Sequence, residues 1–323
     1  MAGRKIFVAG ATGLAGSAIV RGLLESAKNL HIRASWNQTE PFLHDDHVDY
    51  VRGDLSSLQD CQRMISGCDS VIMAAARTGG AGELSTRPWL QINQNLAMNA
   101  TLLQVAAEQE VRRLVMVSTA SLYQPFEGFI REEQLDLNAD PPNAYMGIGW
   151  VARYVEKLCS FWRNHSRMAI GIIRASNIFG PYSRFNKLTS NFIPALIRKA
   201  TDGMDPYEVW GSPSVTRDVV YVDDFARAVI TLFEREDIPW CILNIGSGVR
   251  TTVDDVVKWA LKAANHFPRA IRYIENGPTT AQFRALDCSK AREMIGWAPQ
   301  FSVEEGITAT SKWWKENRNT WTK

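Results

Sequence analysis

The amino-acid sequence predicts an α/β fold, a doubly wound parallel sheet with a smaller, interleaved C-terminal lobe. Short β-rich runs alternate with helical segments through the first half of the chain, and this alternation is typical of a parallel sheet with right-handed crossovers. Beyond residue 176 the pattern becomes irregular, with glycine and proline, before ordered segments return. This change along the chain indicates a second lobe.

The predicted elements follow in order. Strands are expected at 5–10, 30–35, 48–54, 70–76, 113–119 and 169–176. Helices are expected between them at 14–27, 57–66, 89–109 and 144–164. Later segments indicate a short strand leading into a helix at 218–234, a strand at 241–248, and helices at 253–264, 289–295 and 303–317. We therefore expect a first domain over 1–176, to which 218–245 returns, and a second lobe formed by 177–217 and 246–323.

Composition excludes several classes of partner. The chain has 323 residues, 46% of them hydrophobic, and a net charge of +2, which gives no reason to expect nucleic acid or an anionic membrane. No apolar run reaches the ~18 residues of a membrane span. The five cysteines are scattered, so a cytoplasmic protein without disulfides or structural zinc is expected. The polar stretch HDDH at 44–47 is not expected to bind metal.

A glycine-rich turn, VAGATGLAGSAIV, joins the first predicted strand to the first helix. It places Gly10, Gly13 and Gly16 at the spacing G-x-x-G-x-x-G. Glycines here allow a tight turn, close approach of backbone N–H groups to a pyrophosphate, and close packing of helix on strand. The helix N-terminus adds the positive end of its dipole. The turn therefore predicts a Rossmann-type dinucleotide site, to which Thr12 and Leu14 also contribute.

The end of the second strand should decide between the two nicotinamide cofactors. An acidic residue there would bind the ribose of NAD, but the stretch HIRASWNQ has no carboxylate. Because an arginine suits a 2′-phosphate, Arg33 favours NADP(H) over NAD(H), unless this side chain only points into solvent. After the third strand, Asp54 and the following Leu55 are placed to meet the adenine, although Asp54 can equally be a turn residue.

Several longer stretches resemble one family in the same order along nearly the whole chain. These are AAARTGGAGELSTRP (74–88), SNIFGPYSRFNKLTSNFIPALIRK (176–199), EVWGSPSVTRDVVYVDDFARA (208–228), LNIGSG and MIGWAP. The chain thus resembles the extended short-chain dehydrogenase/reductases that act on nucleotide sugars, and within them it looks most like the GDP-L-fucose synthase family. The resemblance implies an NADPH-dependent enzyme that acts on a GDP-4-keto-6-deoxy sugar.

The resemblance also implies roles for individual residues. Thr119 would hydrogen-bond the C4 oxygen of the sugar, and Tyr145 would transfer the proton. The family's cofactor contacts fall on Ala74, Ala75, Ala76, Tyr145 and Asn177, and Arg174 lies in the stretch that closes the site. Its substrate contacts fall on Arg184, Asn191, Trp210, Arg217 and Arg284. Arg217 suits a diphosphate because a guanidinium can bind it through two hydrogen bonds, whereas Arg184 can equally be solvated.

The chain departs from the family pattern at three catalytic positions. The family has a lysine four residues after the tyrosine, which binds the nicotinamide ribose and favours ionisation of the tyrosine. This chain has Gly149 there, which can do neither, and the sequence leaves open what replaces the lysine beside Tyr145. Ser121 replaces a cysteine and Tyr182 replaces a histidine, the pair that exchanges protons at C3 and C5. Complete 3,5-epimerisation is therefore not expected.

Functions of two kinds stay open on the sequence alone. The first is an oxidoreductase or epimerase acting at C4 of a nucleotide sugar, either with an exchanging cofactor or with a tightly held one. The second is a catalytically impaired homologue that binds cofactor and nucleotide sugar. In both cases the partner is a small molecule, and the family's habit of pairing the helices at 89–109 and 144–164 implies a homodimer.

Overall fold

The central sheet of the computed structural model has seven strands, all parallel, in the order β3-β2-β1-β4-β5-β7-β12. The structure describes residues 4–26, 30–79, 87, 89–187, 189–274 and 285–321. The sheet strands are β1 (Arg4–Ala9), β2 (Leu30–Trp36), β3 (Val48–Arg52), β4 (Ser70–Met73), β5 (Arg113–Thr119), β7 (Ala169–Ala175) and β12 (Trp240–Ile245). This arrangement confirms the Rossmann-type sheet that the sequence predicts.

Nine helices of at least seven residues lie within the described ranges. They are α1 (Leu14–Ser26), α2 (Leu58–Ile65), α3 (Trp89–Glu108), α4 (Met146–His165), α5 (Phe192–Thr201), α6 (Val222–Glu234), α7 (Val253–Ala264), α8 (Ser289–Ile295) and α9 (Val303–Asn317). The sequence marks two starts clearly, since capping boxes Thr252–Asp255 and Ser302–Glu305 begin α7 and α9. No described helix is long and apolar enough to cross a membrane.

Two apolar cores cover the faces of the sheet. Along β1, Ile6 and Val8 belong to one core, whereas Phe7 and Ala9 belong to the other. Because side chains alternate along a strand, a strand covered on both sides is apolar at every position. The first core includes α1 and α6, and the second includes α3 and α4. The central strands are therefore covered on both faces, which leaves the ends of the strands for the loops that form a site.

The strand order reverses between β1 and β4, which lie side by side in the sheet although other strands separate them in the chain. Ligands of open α/β sheets bind in the crevice at the carboxyl ends of the strands at such a reversal. Here Ala74, directly after β4, donates its N–H to the Ala9 carbonyl at 3.2 Å. The glycine turn after β1 and the loop after β4 thus form the two sides of this crevice.

Short two-stranded pairs carry the remaining segments. The other strands are β6 (Phe129–Ile130), β8 (Asn177–Phe179), β9 (Tyr207–Trp210), β10 (Thr216–Arg217), β11 (Val219–Tyr221), β13 (Thr251–Thr252), β14 (Ile271–Ile274) and β15 (Ala285–Leu286). β8 pairs with β11, and β10 pairs with β13. These pairs fix Asn177 and Arg217 beside the carboxyl end of the sheet, although the predicted division into two lobes stays a prediction.

Candidate functional site

The glycine turn has the geometry that a phosphate cradle requires. Gly10 has a φ of +77°, and a Cβ on it would lie 2.5 Å from the Ala75 Cα, so only glycine fits. A Cβ on Gly16 would collide with the Gly10 carbonyl. The first turn of α1, beginning at Leu14, leaves backbone N–H groups that the helix cannot pair, next to the buried Thr12. These groups fit the pyrophosphate of a dinucleotide.

Arg33 lies within β2, inside the predicted strand 30–35, and its guanidinium is engaged by other parts of the fold. Strand β2 continues to Trp36, so Arg33 is in the middle of the strand. Its guanidinium binds the Asp49 carboxylate at 3.0 Å and the carbonyls of Met64 and Ser66 at the end of α2. The positive charge is therefore used within the fold, where it also meets the negative end of a helix dipole. A contact between Arg33 and a 2′-phosphate stays a prediction.

Other predicted cofactor residues lie around the crevice. Ser35, also on β2, accepts a hydrogen bond from the Gly10 N–H at 3.1 Å and so ties the second strand to the turn. Asp54 is exposed, and its Oδ1 accepts from the Ser56 N–H at 2.9 Å, which is the geometry of a turn residue. Leu55 beside it is buried. A role for Asp54 or Leu55 at the adenine stays a prediction.

The loop Ala74–Ala76 is held by a residue that the sequence reasoning missed. Asn95 on α3 accepts from the Arg77 N–H at 2.8 Å and donates to the Arg77 carbonyl at 3.0 Å. This double contact fixes the loop over the glycine turn. A polar side chain in a helix that packs against the sheet is a sequence signal for such a contact, because asparagine is a poor helix former.

Thr119 and Ser121 form one hydroxyl pair at the end of β5. Thr119 Oγ1 donates to Ser121 Oγ at 3.2 Å and accepts from the Ser121 N–H at the same distance. A short 3₁₀ turn follows at 120–122, which keeps both hydroxyls at the carboxyl end of the sheet. Tyr145 is half-buried and ends a second 3₁₀ turn, directly before α4 begins at Met146.

The position of the missing lysine contains no open space, which answers what the sequence left open. Gly149 is buried on α4, and a Cβ there would lie 2.7 Å from the Cβ and Cγ of Pro141 and 2.8 Å from the Ser121 carbonyl oxygen. Real Cβ atoms essentially never make such contacts, and the Ser121 oxygen belongs to the backbone. Pro141 and the Ser121 carbonyl therefore occupy the space into which a side chain at position 149 would project.

Arg217 lies near enough to Tyr145 for the two side chains to interact electrostatically. Burial lowers the pKa of the Arg217 guanidinium, and the nearby Tyr145 phenol opposes that decrease. Arg217 lies on β10 and its strand partner is Thr251 on β13. The adjacent Asp218 accepts hydrogen bonds from the Leu286 and Ser247 N–H groups at 2.9 Å. Arg217 is thus carried on a backbone segment that is anchored on both sides.

Tyr182 lies within an aromatic cluster formed by Phe42, Tyr182, Trp313 and Trp321. Its ring stacks on Phe42 with centroids 4.6 Å apart and lies 4.8 Å from Trp313 and 5.4 Å from Trp321. Its φ of +66° is in the left-handed region, which is uncommon for a bulky residue. The cluster joins the loop after β2, the loop after β8 and the end of α9. This setting gives Tyr182 a packing role, and its predicted catalytic role stays a prediction.

The predicted substrate residues are dispersed around the crevice. Arg184 is exposed and donates to the Thr78 carbonyl across the crevice. Asn191 is the N-cap of α5 and is exposed, as is Trp210, whose ring has the Lys199 ammonium 5.5 Å from its centroid. The Asn177 amide donates to the Asp218 carbonyl at 3.2 Å. Arg284 lies outside the described residues.

Arg174 belongs to a buried polar network rather than to the crevice. It binds the Glu156 carboxylate at 2.7 Å and the Tyr123 hydroxyl at 2.8 Å. Glu156 also accepts from the Ser118 hydroxyl at 2.7 Å, and Tyr123 donates to Asn244 at 2.7 Å. The network connects β5, α4 and β12 directly behind Thr119. Local sequence patterns do not reveal it, because its members are far apart in the chain.

The fold and crevice define the chain as a Rossmann-type α/β protein with a hydroxyl pair and a tyrosine at the carboxyl end of its sheet. A family model described as the NAD dependent epimerase/dehydratase family matches residues 6–246. The chain belongs to this family.

Named relatives extend over almost the whole chain. GDP-L-fucose synthase 1 of Arabidopsis thaliana is 29% identical, with 97% of this chain and 94% of the relative covered. GDP-mannose 3,5-epimerase of the same plant is 26% identical over 97% of this chain and 82% of the relative. Among solved structures, UDP-glucose 4-epimerase with UDP-glucose from Thermotoga maritima has a TM-score of 0.83 at 21% identity, covering 97% of this chain and 99% of that one. The last similarity concerns the fold.

Proposed function

We propose that the protein is an NADP(H)-dependent oxidoreductase or epimerase acting at C4 of an NDP-sugar, with a GDP-linked 4-keto-6-deoxy-hexose as the favoured substrate. The observation that carries the proposal is the hydroxyl pair of Thr119 and Ser121 at the carboxyl end of the sheet, the same end at which the glycine turn follows β1. The names of the GDP-L-fucose synthase and GDP-mannose 3,5-epimerase relatives support a GDP-sugar.

In this proposal a bound nicotinamide supplies or accepts the hydride. Thr119 donates a hydrogen bond to the C4 oxygen, and Tyr145 gives that oxygen a proton as the carbonyl is reduced. A neutral phenol can donate a proton, so reduction does not need the lysine. Oxidation of an alcohol needs a phenolate to accept the proton, which the absent lysine would have favoured. We therefore favour reduction of a 4-keto sugar over oxidation at C4.

Ser121 and Tyr182 occupy the positions at which the related family exchanges protons at C3 and C5 of the sugar. Their identities support reduction at C4 without complete proton exchange at C3 and C5. Ser121 is a poorer proton carrier than the cysteine of the related family. The Tyr182 ring is engaged with Phe42, Trp313 and Trp321. We propose that the product keeps the configuration of the substrate at both carbons. Proton NMR of the product in D₂O would test this, and deuterium at C3 and C5 would contradict it.

NADP(H) is proposed as the cofactor on the ground that Trp36, Asn37 and Gln38 provide no carboxylate at the end of β2. Arg52, the last residue of β3, is proposed beside Arg33 as a partner of the 2′-phosphate. Its guanidinium lies 5.1 Å from the Trp36 ring at the same edge of the sheet. We expect Arg52→Ala to weaken NADPH binding about tenfold and to leave NADH binding unchanged, whereas equal weakening of both would contradict this assignment.

The test of the reaction uses the purified protein with NADPH and GDP-4-keto-6-deoxymannose. Oxidation of NADPH that Tyr145→Phe reduces at least ~100-fold and Thr119→Val at least ~10-fold is expected. The matched control is Tyr154→Phe on the exposed face of α4, which should keep full activity. If this substrate causes oxidation of neither NADPH nor NADH, the result counts against the proposed reaction.

A second candidate is a binding protein that holds cofactor and nucleotide sugar without turnover. The filled space beside Gly149 favours it, because a relative of active enzymes has closed the place of a catalytic side chain. Calorimetric binding of NADPH and a GDP-sugar without turnover would support this candidate. For either function we propose a small-molecule partner, a cytoplasmic location and a homodimer formed through α3 and α4, whose described surface includes the exposed rings of Trp89, Tyr154 and Phe161.

A further inference from the structure

A buried arginine lies one helical turn after Gly149 on the same face of α4. Arg153 is only 2% exposed, and its guanidinium points toward the loops at the carboxyl end of the sheet. Its Nε donates to the Leu122 carbonyl at 2.7 Å, and its Nη1 donates to the Ala139 carbonyl at 2.6 Å. One side chain thus joins two segments, 119–122 and 139–142, that are separate in the sequence.

A second contact from α4 holds the same loop. Trp150 donates its indole N–H to the Asp140 carboxylate at 2.8 Å, and the Arg153 guanidinium carbon lies 4.7 Å from the Trp150 ring centroid. Ala139 and Asp140 are therefore both fixed to α4. The next residue is Pro141, whose ring packs directly against Gly149.

The two segments that Arg153 holds carry or contact the candidate catalytic groups. Thr119 and Ser121 lie on the first segment. The second ends at Pro142, whose carbonyl accepts from the Tyr145 N–H at 2.7 Å. A change in the distance between these segments would consequently change the distance between the hydroxyl pair and the tyrosine.

We infer that Arg153 is a positioning residue: it draws the Leu122 and Ala139 carbonyls onto α4, closes the space beside Gly149, and thereby sets Thr119 and Ser121 relative to Tyr145. Its effect on turnover rests on the proposed function, but its effect on the packing at Gly149 does not. The arrangement takes the place of a lysine by fixing the geometry of the site rather than by supplying a cation to the tyrosine.

The Arg153 guanidinium is only partly hydrogen-bonded. Its Nη2 is buried and has no hydrogen-bond partner within the part of the chain that the structure describes. A buried donor without a partner costs free energy. An apolar side chain of similar size would avoid this cost, but it would leave the two loop carbonyls without their shared donor.

Arg113 provides a matched control at the opposite end of β5. It is 3% exposed, it donates to two carbonyls, those of Leu232 and Ile238, and its Nε has no partner among the described residues. Arg113→Met therefore removes the same kind of buried bridge as Arg153→Met. Only Arg153, however, contacts the segments around Gly149.

The first test measures stability and needs no activity. Gly149→Ala is introduced into the wild type, into Arg153→Met and into Arg113→Met, and urea unfolding is followed by circular dichroism. We expect Gly149→Ala to raise the unfolding equilibrium constant at least ~10-fold in the wild type and in Arg113→Met, but less than ~3-fold in Arg153→Met, because the loops are then free to move away. An equal factor in all three backgrounds would overturn the inference.

The second test separates positioning from folding. Arg153→Met should lower kcat at least ~10-fold, with KM and the Kd values for NADPH and GDP within ~3-fold of wild type, while Arg113→Met keeps kcat within ~2-fold. If both variants lose kcat equally, the positioning role is wrong. If the wild type shows no turnover, the proposed function is refuted but the inference on Arg153 is not. The urea-unfolding comparison of Gly149→Ala in the three backgrounds then still decides that inference. Arg153→Lys, which cannot bind both carbonyls through a rigid fork, replaces Arg153→Met if the latter does not fold.

Discussion

Arg174 and Glu156 form a buried ion pair directly behind the strand that carries Thr119, with 2.7 Å between Nη2 and Oε2. Both side chains are less than one-tenth exposed. Burial lowers the pKa of the Arg174 guanidinium, but the Glu156 carboxylate and Tyr123 outweigh it, so that the pKa is raised overall. The pair fixes α4 to the central strands at the level of the candidate site.

Replacement of Glu156 by glutamine should destabilise the fold strongly. The variant leaves the Arg174 charge buried without its partner, and breaking a buried pair in this way costs about 3–5 kcal/mol. Urea unfolding measures this loss. Glu304→Gln is the control, since the Glu304 carboxylate lies 2.8 Å from Lys262 in a largely exposed pair and should contribute less than about 1 kcal/mol. Similar losses in the two variants would contradict a specific role for the buried pair.

Gly149→Ala should destabilise the protein although alanine is the better helix former. The gain in helix propensity is about 1 kcal/mol, but the new Cβ meets the Ser121 carbonyl oxygen at 2.8 Å, which the backbone must move to relieve. We expect a net loss of at least about 1.4 kcal/mol, which corresponds to a tenfold change in the unfolding equilibrium constant. Gly149→Lys should lower rather than restore activity, because its side chain begins with the same clash.

Gly147→Ala is the control within the same helix. A Cβ at Gly147 would also collide, with Cδ1 and with Cγ1 of Ile92, but these are side-chain atoms that a change of rotamer can move, and no backbone atom is among them. We expect a change in unfolding free energy within about 1 kcal/mol. Equal destabilisation by the two alanines would show that the backbone contact at Ser121 is not decisive.

Asp218 should make stability depend on pH between about 4 and 6. Burial raises the pKa of this carboxyl to about 6, despite the opposing hydrogen bonds from Leu286 and Ser247. The folded protein therefore binds a proton that the unfolded chain has already released near its ordinary pKa of 3.8. The resulting stabilisation is fully present below pH 3.8 and is lost as the pH rises through 6.

The measurement compares urea unfolding of the wild type and Asp218→Asn from pH 5 to 7.5. The difference between their free energies of unfolding should change by about 1.4 kcal/mol over this range, with the wild type losing stability relative to the variant as the pH rises. Other titrating groups cancel in the comparison. A difference that is constant with pH would show that Asp218 does not carry this proton.

A charge on the outer face of α4 should dissociate the proposed dimer. Trp150, Tyr154 and Phe161 are 40%, 54% and 48% exposed, and their spacing places them along one side of the helix. An apolar stripe of this kind marks a protein contact. Tyr154→Asp is expected to shift the mass measured by light scattering from dimer to monomer. Phe267→Asp, at an exposed ring outside α3 and α4, should not, and a monomeric wild type would refute the proposal.

The elements of the fold could be predicted because their signals are local. All of the first six predicted strands are present within three residues of their predicted ends, since apolar runs bounded by turns report burial on both faces of a sheet. The glycine turn was also predictable, because a tight turn between strand and helix restricts residue type. Helix α4 begins at Met146 rather than at 144, after a 3₁₀ turn that its sequence does not mark.

The parts that could not be predicted depend on distant contacts. Arg33 suits a phosphate by its chemistry, but the carbonyls that bind it come from residues 64 and 66. The sequence showed that position 149 lacks a lysine, yet Pro141 and Ser121 reach Gly149 only after β5 and α4 pack together. The network of Glu156, Arg174 and Tyr123 likewise has no local periodicity that would reveal it.

The packing at Gly149 has an evolutionary consequence. A single substitution that returned lysine to this position would pass through a backbone clash with Ser121, and selection would encounter the loss before any catalytic gain. A lysine at position 149 becomes tolerable only after earlier substitutions at Pro141 or Arg153 have allowed the loops to move away. Variants of this chain are therefore expected to explore new chemistry around Tyr145 and Arg217 more readily than they acquire a lysine at position 149.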